Sequence, residues 1–112
     1  MQIIGSSISI NELKKIAENT FGDMIKGVVD VSNNVLAIDA ELHSDIEAYL
    51  LTNNSKQDNL WGINLYPYEA GDDFLEFDSM INIRPRQGNK SRGVDNVQIQ
   101  EKIKEIVYSK IK

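Results

Sequence analysis

Cysteine is absent from the 112 residues of this chain, which excludes disulfide bonds, thiolate metal sites and cysteine nucleophiles. Small secreted domains often need disulfides for stability, so the absence favours a cytoplasmic protein. Long hydrophobic runs are absent as well, since none approaches the ~20 residues that a membrane-spanning helix requires. We therefore expect a cytoplasmic protein without a membrane partner.

Histidine is scarce, because His43 is the only one in the chain. It is accompanied by no H-E-x-x-H spacing, so the sequence predicts no histidine-based metal site. The phosphate-binding spacing G-x-x-x-x-G-K-[S/T] and the nucleophile spacing G-x-S-x-G are also missing. We interpret His43 as structural or exposed, and leave open a role as ligand or general base beside Glu41 and Asp45.

Basic residues are few in most of the chain and concentrated at its end. Residues 1–83 hold four basic and fourteen acidic residues, whereas residues 84–112 hold eight basic and three acidic ones. The total of −5 argues against nucleic acid as a partner, because phosphate binding depends on accumulated positive charge. The split indicates either an anionic partner or a fold in which one end of the chain neutralises the other.

Three helices are indicated by capping patterns followed by apolar residues at helical spacing. Ser9–Glu12 and Ser44–Glu47 both match the capping box, in which a hydroxyl and a carboxylate satisfy free backbone amides. Asp95 or Asn96 is expected to cap the third helix, because an apolar stripe follows and extends to Ile111.

Strands are indicated between these helices. Ile25–Val31 and Val35–Leu42 flank an asparagine-containing turn and predict a β-hairpin. Leu60–Tyr66 predicts a further strand, which Pro67 ends because proline cannot donate to a sheet. Phe74–Arg84 alternates most clearly between apolar and polar residues, so we predict a long strand there.

Composition and element order together define the fold class. With 41% apolar residues, the chain can form a single core, and we predict one domain over residues 1–112. Hairpins joined to helices indicate an α+β fold. We expect a small antiparallel or mixed sheet of about four to five strands, with about three helices mainly on one face and the polar alternates on the other.

The segment Ile83–Gly93 is the strongest candidate site, and the predicted binding loop within it runs from Arg84 to Arg92. It combines cations suited to phosphate or carboxylate with glycines that let backbone amides approach an anion, and the start of the next helix favours negative charge. We predict a small anionic ligand, phosphate-bearing first, and leave open a solvated loop whose arginines pair with acidic residues. The candidate binding residues are Arg84, Arg86, Asn89, Lys90, Ser91 and Arg92, with Asn64, a polar residue in an apolar strand.

Carboxylates on the predicted sheet provide an alternative. Glu76 and Asp78 share one side of a predicted strand, and Asp39 and Glu41 share one side of another. Converging carboxylates can bind a divalent ion or divide acid and base roles between them. A hydrolase or transferase therefore stays open, although the sequence indicates no particular metal or cofactor.

Two interaction readings also stay open. The basic loop could meet an acidic sheet face of a partner, either a second copy or another protein. Trp61, Tyr66 and Tyr68 could stack on bases, although a tryptophan on a strand is more typical of a core.

Three segments resemble a family of small uncharacterised prokaryotic proteins, a domain of unknown function. They are Trp61–Pro67, Glu76–Pro85 and Gly88–Gly93. The resemblance spans most of the chain and is densest from residue 56 to 93. It implies a small stand-alone prokaryotic protein, and it implies no activity, cofactor or catalytic residue.

Overall fold

The computed structural model describes residues 1–112, and in it one antiparallel sheet carries the whole domain. Its five strands have the order β1-β3-β2-β4-β5. They are β1 (Gln2–Ile3), β2 (Ile25–Asp30), β3 (Val35–Ile38), β4 (Leu60–Leu65) and β5 (Leu75–Glu76). The predicted α+β class is confirmed.

Three helices accompany the sheet: α1 (Ile10–Glu18), α2 (His43–Thr52) and α3 (Val97–Lys110). The capping box of α1 is confirmed, because Ser9 Oγ accepts from the Glu12 amide at 3.1 Å while the Ser9 amide donates to Glu12 Oε1 at 3.3 Å. Asn96 caps α3 by accepting from the amides of Gln98 and Ile99. Both caps are local, which is why the sequence pattern predicts them.

The capping box predicted at Ser44 is wrong. Helix α2 begins at His43 after an extended Leu42, and no side chain caps it. The His43 ring lies 2.8 Å from the Ile63 carbonyl oxygen in β4, measured from Nε2. The helix therefore starts earlier than the local pattern indicates, at a residue that contacts β4. Because the residue at the N-cap is Leu42, the first turn of α2 has no side-chain acceptor.

Apolar residues are buried on both faces of the sheet. The larger cluster contains 17 buried residues and lies under α1 and α3. A second cluster of five, Val28, Ala37, Ile46, Leu50 and Leu60, packs α2 against the opposite face. The expectation that this opposite face carries the polar alternates is therefore wrong for much of its area, because apolar residues of β2, β3 and β4 require a cover there.

The hairpin of β2 and β3 is confirmed, with Asp30 paired to Val35 across the turn. The buried Asp30 carboxylate accepts from the amides of Ser32 and Asn33 at 2.9 and 3.0 Å. Strand β3 ends at Ile38, earlier than predicted, because Asp39 adopts a positive φ of 75°. A residue in that conformation cannot continue a strand.

The long strand predicted over Phe74–Arg84 is wrong. Only Leu75–Glu76 pairs with β4, and the chain then forms 3-10 turns at Met80–Asn82 and Pro85–Gln87. Ser79 starts the first turn, because its Oγ accepts from the Ile81 amide at 3.3 Å. Most of the alternating pattern therefore belongs to a segment that leaves the sheet edge and crosses the face covered by α2. We call residues 78–92 the crossing segment.

Asn82 holds this crossing segment against β4. It is fully buried. Its Oδ1 accepts from the Gly62 amide at 2.8 Å, and its Nδ2 donates to the Gly62 and Arg92 carbonyl oxygens at 3.0 and 2.9 Å. Ser79 presses on the same glycine so closely that a Cβ at Gly62 would lie 2.5 Å from Ser79 Cβ. Position 62 therefore requires glycine for close approach.

We predict that Asn82→Ala lowers the free energy of unfolding by about 3 kcal/mol, because it leaves several buried backbone groups unpaired. Urea unfolding measures the loss. Asn11→Ala, on the exposed side of α1, is the control and should change stability by less than about 0.5 kcal/mol. Equal effects of the two substitutions would show that the Asn82 bonds do not hold the crossing segment.

Candidate binding pocket

A pocket of about 410 Å³ lies on the α2 face of the sheet, between the start of α2 and the crossing segment. Its floor contains three side chains, Lys26, Asn64 and Glu76, from adjacent strands. Lys26 is paired with Asn64, and Asn64 with Glu76, in the strand register. Neighbouring strands are ~4.8 Å apart, so a cation, an amide and a carboxylate form a row of roughly 10 Å across the floor.

The walls of the pocket come from three parts of the chain. His43 and Ser44 contribute from the start of α2, and Tyr66 contributes from the end of β4. Asp78 and Arg92 contribute from the two ends of the segment that Asn82 holds in place. Met24, Leu42, Met80 and Ile81 supply apolar surface. Most of the residues that line the pocket carry polar or charged groups, so it suits a polar small molecule.

Asn64 carries an unsatisfied oxygen in this pocket. Its Nδ2 donates to Glu76 Oε1 at 2.9 Å and to the Asp78 carbonyl oxygen at 3.1 Å. Both neighbours can only accept, so they fix which end of the amide is which. Oδ1 is left buried without a hydrogen-bond partner on a side chain that is 5% exposed. Buried polar atoms without partners are rare and call for an explanation.

Glu76 also accepts from the Tyr66 hydroxyl at 2.8 Å. Burial, and next the hydrogen bond and charge of Glu76, raise the pKa of Tyr66 to about 12. The phenol is therefore protonated at neutral pH and acts as a donor. No lysine or arginine nitrogen lies within 4.0 Å of the Glu76 carboxylate. Glu76 is consequently held by neutral groups alone.

Arg92 and Lys26 bring positive charge to the pocket. Arg92 Nε donates to Asp78 Oδ1 at 2.6 Å, and its Nη1 lies 3.6 Å from Met80 Sδ. No protein oxygen takes up the remaining N–H groups of this guanidinium. Lys26 Nζ donates to the Glu41 carbonyl oxygen at 2.8 Å. Nζ also lies over the Phe21 ring, 5.0 Å from its centroid, so the ammonium meets a carbonyl oxygen and an aromatic face and no carboxylate.

His43 lies over β4 beside this row. Because the Ile63 carbonyl can only accept, Nε2 carries the proton and donates to it. Burial lowers the pKa of His43, and Lys26 adds to the effect, while the Ile63 carbonyl, Asn64 and Asp78 oppose it. The Asn64 amide lies near enough to influence the ring, although no hydrogen bond of ordinary geometry joins them. The ring is therefore neutral at neutral pH.

Arg84, a predicted ligand residue, is directed toward the protein. Its guanidinium stacks on Trp61, 4.2 Å from the ring centroid, and donates to the carbonyl oxygens of Gln57 and Leu60. Burial lowers the pKa of Arg84. Trp61 is 2% exposed and belongs to the larger core cluster. The guanidinium, rather than a nucleic-acid base, occupies the ring face.

Asn89 and Ser91 hold the loop together. The buried Asn89 Nδ2 donates to the carbonyl oxygens of Asn82 and Gly93, both at 2.8 Å. Its Oδ1 accepts from the Asp95 amide at 2.8 Å, and Ser91 Oγ donates to Asp95 Oδ1 at 2.6 Å. The hydrogen bonds from Ser91 and the Lys90 amide lower the pKa of Asp95. These bonds set the loop's shape.

Of the predicted binding residues, the structure brings only Asn64 and Arg92 to this pocket. Arg86 and Lys90 are exposed on the outside of the loop. Ligand binding by the loop stays a prediction. Lys26 was not predicted as a site residue, and His43 and Tyr66 were left open only as a ligand or general base and as a base-stacking residue. A signal existed for Lys26, since it is the one charged residue between apolar neighbours in Ile25–Val29.

The carboxylates that could have formed a metal site on the predicted sheet do not all come together. Glu76 and Asp78 both line the pocket, whereas Asp39 and Glu41 do not. No three side chains among histidine, aspartate and glutamate come together in a way that could hold a metal ion. The pocket therefore contains two carboxylates and no third side chain that would complete a metal site.

Comparison with known proteins identifies a family and nothing more specific. A family model described as "Protein of unknown function (DUF5674)" matches residues 2–110. The chain belongs to the DUF5674 family. The pocket described above is thus a site in a DUF5674 protein, and the resemblance to an uncharacterised family is confirmed. Comparisons with curated proteins and with solved structures gave no match. No helix of this DUF5674 chain has the length and apolar character needed to cross a bilayer.

We predict that Arg84→Ala lowers the free energy of unfolding by about 2 kcal/mol, because it removes two charge-assisted bonds and the stacking on Trp61. Arg86→Ala, two residues along and exposed, is the matched control and should cost less than about 0.5 kcal/mol. Thermal or urea unfolding of the two variants measures the difference. If both arginines proved equally dispensable, the structural role of Arg84 would be wrong.

We predict that His43 makes stability fall in mild acid. Its folded pKa is lowered, so the unfolded chain, with a pKa of about 6.5, takes up the proton first. The stability contributed by the neutral ring is full above that pH and is lost as pH falls toward the folded pKa. Urea unfolding at about pH 7.5 and about pH 5.5 should show a larger loss for the parent protein than for His43→Gln. Equal losses would contradict the assignment.

Proposed function

We propose that this protein binds a small anionic ligand, phosphate-bearing first, in the pocket between α2 and the crossing segment. One observation carries the proposal: Arg92, Lys26 and the uncapped start of α2 surround a single pocket. Each supplies positive potential. The guanidinium retains donors that no protein oxygen uses.

The start of α2 has free amide donors at His43 and Ser44 and the positive end of the helix dipole, which the Asp45 carboxylate in the first turn offsets in part. His43 and Ser44, the first two residues of the helix, line the pocket. A side chain at the N-cap usually accepts from these amides, but Leu42 cannot do so. An anionic ligand would supply the missing acceptor.

Arg92 is placed on the other side of the pocket by its backbone. Its carbonyl oxygen accepts from the Asn82 side chain and from the Ser79 amide at 2.9 Å in both cases. The ion pair with Asp78 is exposed, and exposed pairs are weak. A phosphate or carboxylate can therefore share or replace this partner at little cost.

The predicted loop contributes to this proposal mainly through Arg92. Arg84 and Asn89 would act as its structural support, since their bonds are made within the protein. Arg86, Lys90 and Ser91 would add positive charge or donors at the outer rim if a larger ligand reached them. If the charges of Arg86 and Lys90 raise the affinity for the ligand from a distance, this contribution should weaken as the salt concentration increases.

Hydrolase or transferase chemistry is a second candidate, because Glu76 and Asp78 line the same pocket as Arg92. In this version Arg92 holds the substrate and a carboxylate accepts or donates a proton. A metal-assisted version is less well supported, because no third metal-binding side chain joins these two.

We predict that inorganic phosphate or a phosphomonoester raises the melting temperature of the protein. A ligand at about 100 times its dissociation constant adds about 2.7 kcal/mol, or roughly ten degrees for a domain of this size. Arg92→Gln and Lys26→Gln should each weaken binding by about tenfold, the equivalent of one charge-assisted hydrogen bond.

Arg86→Gln is the matched control for this experiment, because it removes one positive charge outside the pocket. It should leave the affinity within about twofold at moderate salt. If Arg86→Gln abolished binding while Arg92→Gln and Lys26→Gln had no effect, the ligand would bind the outer loop instead. If no phosphate or carboxylate compound bound, the proposed function would be wrong.

A further inference from the structure

The Glu76 carboxylate on the floor of the pocket is held in place and has no cationic partner. Its hydrogen bonds from Asn64 Nδ2 and from the Tyr66 hydroxyl both reach Oε1. No basic side chain lies within 4.0 Å of the carboxylate. Oε2 is therefore an acceptor that suits a donor with positive charge.

The Asn64 amide keeps the Glu76 carboxylate in this position. Exchanging its nitrogen and oxygen would place Oδ1 against Glu76 Oε1 and the Asp78 carbonyl oxygen, which are both acceptors. The observed orientation is therefore the only one that its neighbours favour. Because Asn64 Oδ1 is enclosed by the protein, a ligand would contact the carboxylate rather than this oxygen.

The charges lining the pocket indicate what kind of donor fits. Lys26 and Arg92 are matched in number by Glu76 and Asp78. Asp78 is already paired with Arg92 at 2.6 Å, so Glu76 is the carboxylate without a cation. At the Lys26 end of the floor, the lysine and the start of α2 favour an anion instead. The floor thus has a negative charge at the Glu76 end and a positive charge at the Lys26 end.

We propose that the ligand is a zwitterion, an amine-bearing phosphate or carboxylate. Its ammonium group binds the Glu76 carboxylate, and its anionic group binds at Lys26 and the start of α2. The inference rests on the proposed function, since it assigns a second charged group to the same anionic ligand. The middle of the row, where Asn64 holds Glu76, is one interstrand spacing of about 4.8 Å from Lys26, which suits a short molecule with its charges separated by a few bonds.

Binding of three matched phosphomonoesters, measured by calorimetry, tests the inference. They are phosphoethanolamine, 2-hydroxyethyl phosphate and ethyl phosphate, which share the anion and differ in the terminal group. β-Alanine and propionate form the matching carboxylate pair. In at least one of the two series, we expect the compound with the amine to bind about tenfold more tightly than the compounds without it. This difference is equivalent to about 1.4 kcal/mol.

Glu76→Gln shows whether the preference comes from the pocket floor. Glutamine keeps an oxygen that can accept from Tyr66 and Asn64, and position 76 is exposed, so the variant should fold. The preference for the amine should fall about tenfold, while the affinity for ethyl phosphate should stay the same or rise. Glu69→Gln, which removes an exposed carboxylate outside this pocket, should leave the preference intact.

The outcomes separate the inference from the proposed function. Equal binding of all three phosphates would leave an anion site in place and overturn the zwitterion. A hydroxyl compound that matched the amine would also overturn it, because the donor would then need no charge. A preference for the amine that survived Glu76→Gln would overturn the assigned position of the ammonium. Failure of every phosphate and carboxylate to bind would overturn both.

Discussion

The bonds between Asn82 and β4 are the interaction on which the candidate site depends. Residues 78–92 leave the sheet edge after β5 and return across its α2 face, where the strands cannot pair with them. The Asn82 amide replaces that pairing by meeting both backbone groups of Gly62. Gly62 permits the approach because it has no Cβ to collide with Ser79. Together with the bonds from the Ser79 amide to the Arg92 carbonyl oxygen and from Asn64 to the Asp78 carbonyl oxygen, this contact holds Asp78 and Arg92 beside the pocket.

Some polar groups around the pocket form hydrogen bonds within the protein, and others keep a donor or acceptor that a ligand could use. Asn89 uses its donors on backbone carbonyls, and Arg84 does so with Nη1 and Nη2 while its Nε is buried without a partner. Glu76 Oε2 and part of the Arg92 guanidinium have no partner within the protein, and both residues line one pocket. The basic end of the chain is joined to the acidic part by only one ion pair, Arg92 with Asp78. Internal neutralisation therefore explains little of the charge split.

Local signals made much of the fold predictable, and tertiary contacts account for what the sequence missed. The caps at Ser9 and Asn96 depend on residues within one helical turn. The strand predicted over Phe74–Arg84 failed because alternation does not reveal whether a polar side chain faces solvent or replaces a strand partner, as Asn82 does. Asn64 was recognised because it interrupts an apolar strand. Its alignment with Lys26 depends on strand register, which short sequence patterns specify poorly.

The most direct test of the binding pocket is a nitrogen-proton NMR titration of the intact protein with phosphoethanolamine. The account predicts that the largest shifts occur at the backbone amides of His43 and Ser44 and at the Asn64 side-chain amide, which line the pocket. Shifts confined to the exposed loop around Arg86 and Lys90 would contradict it.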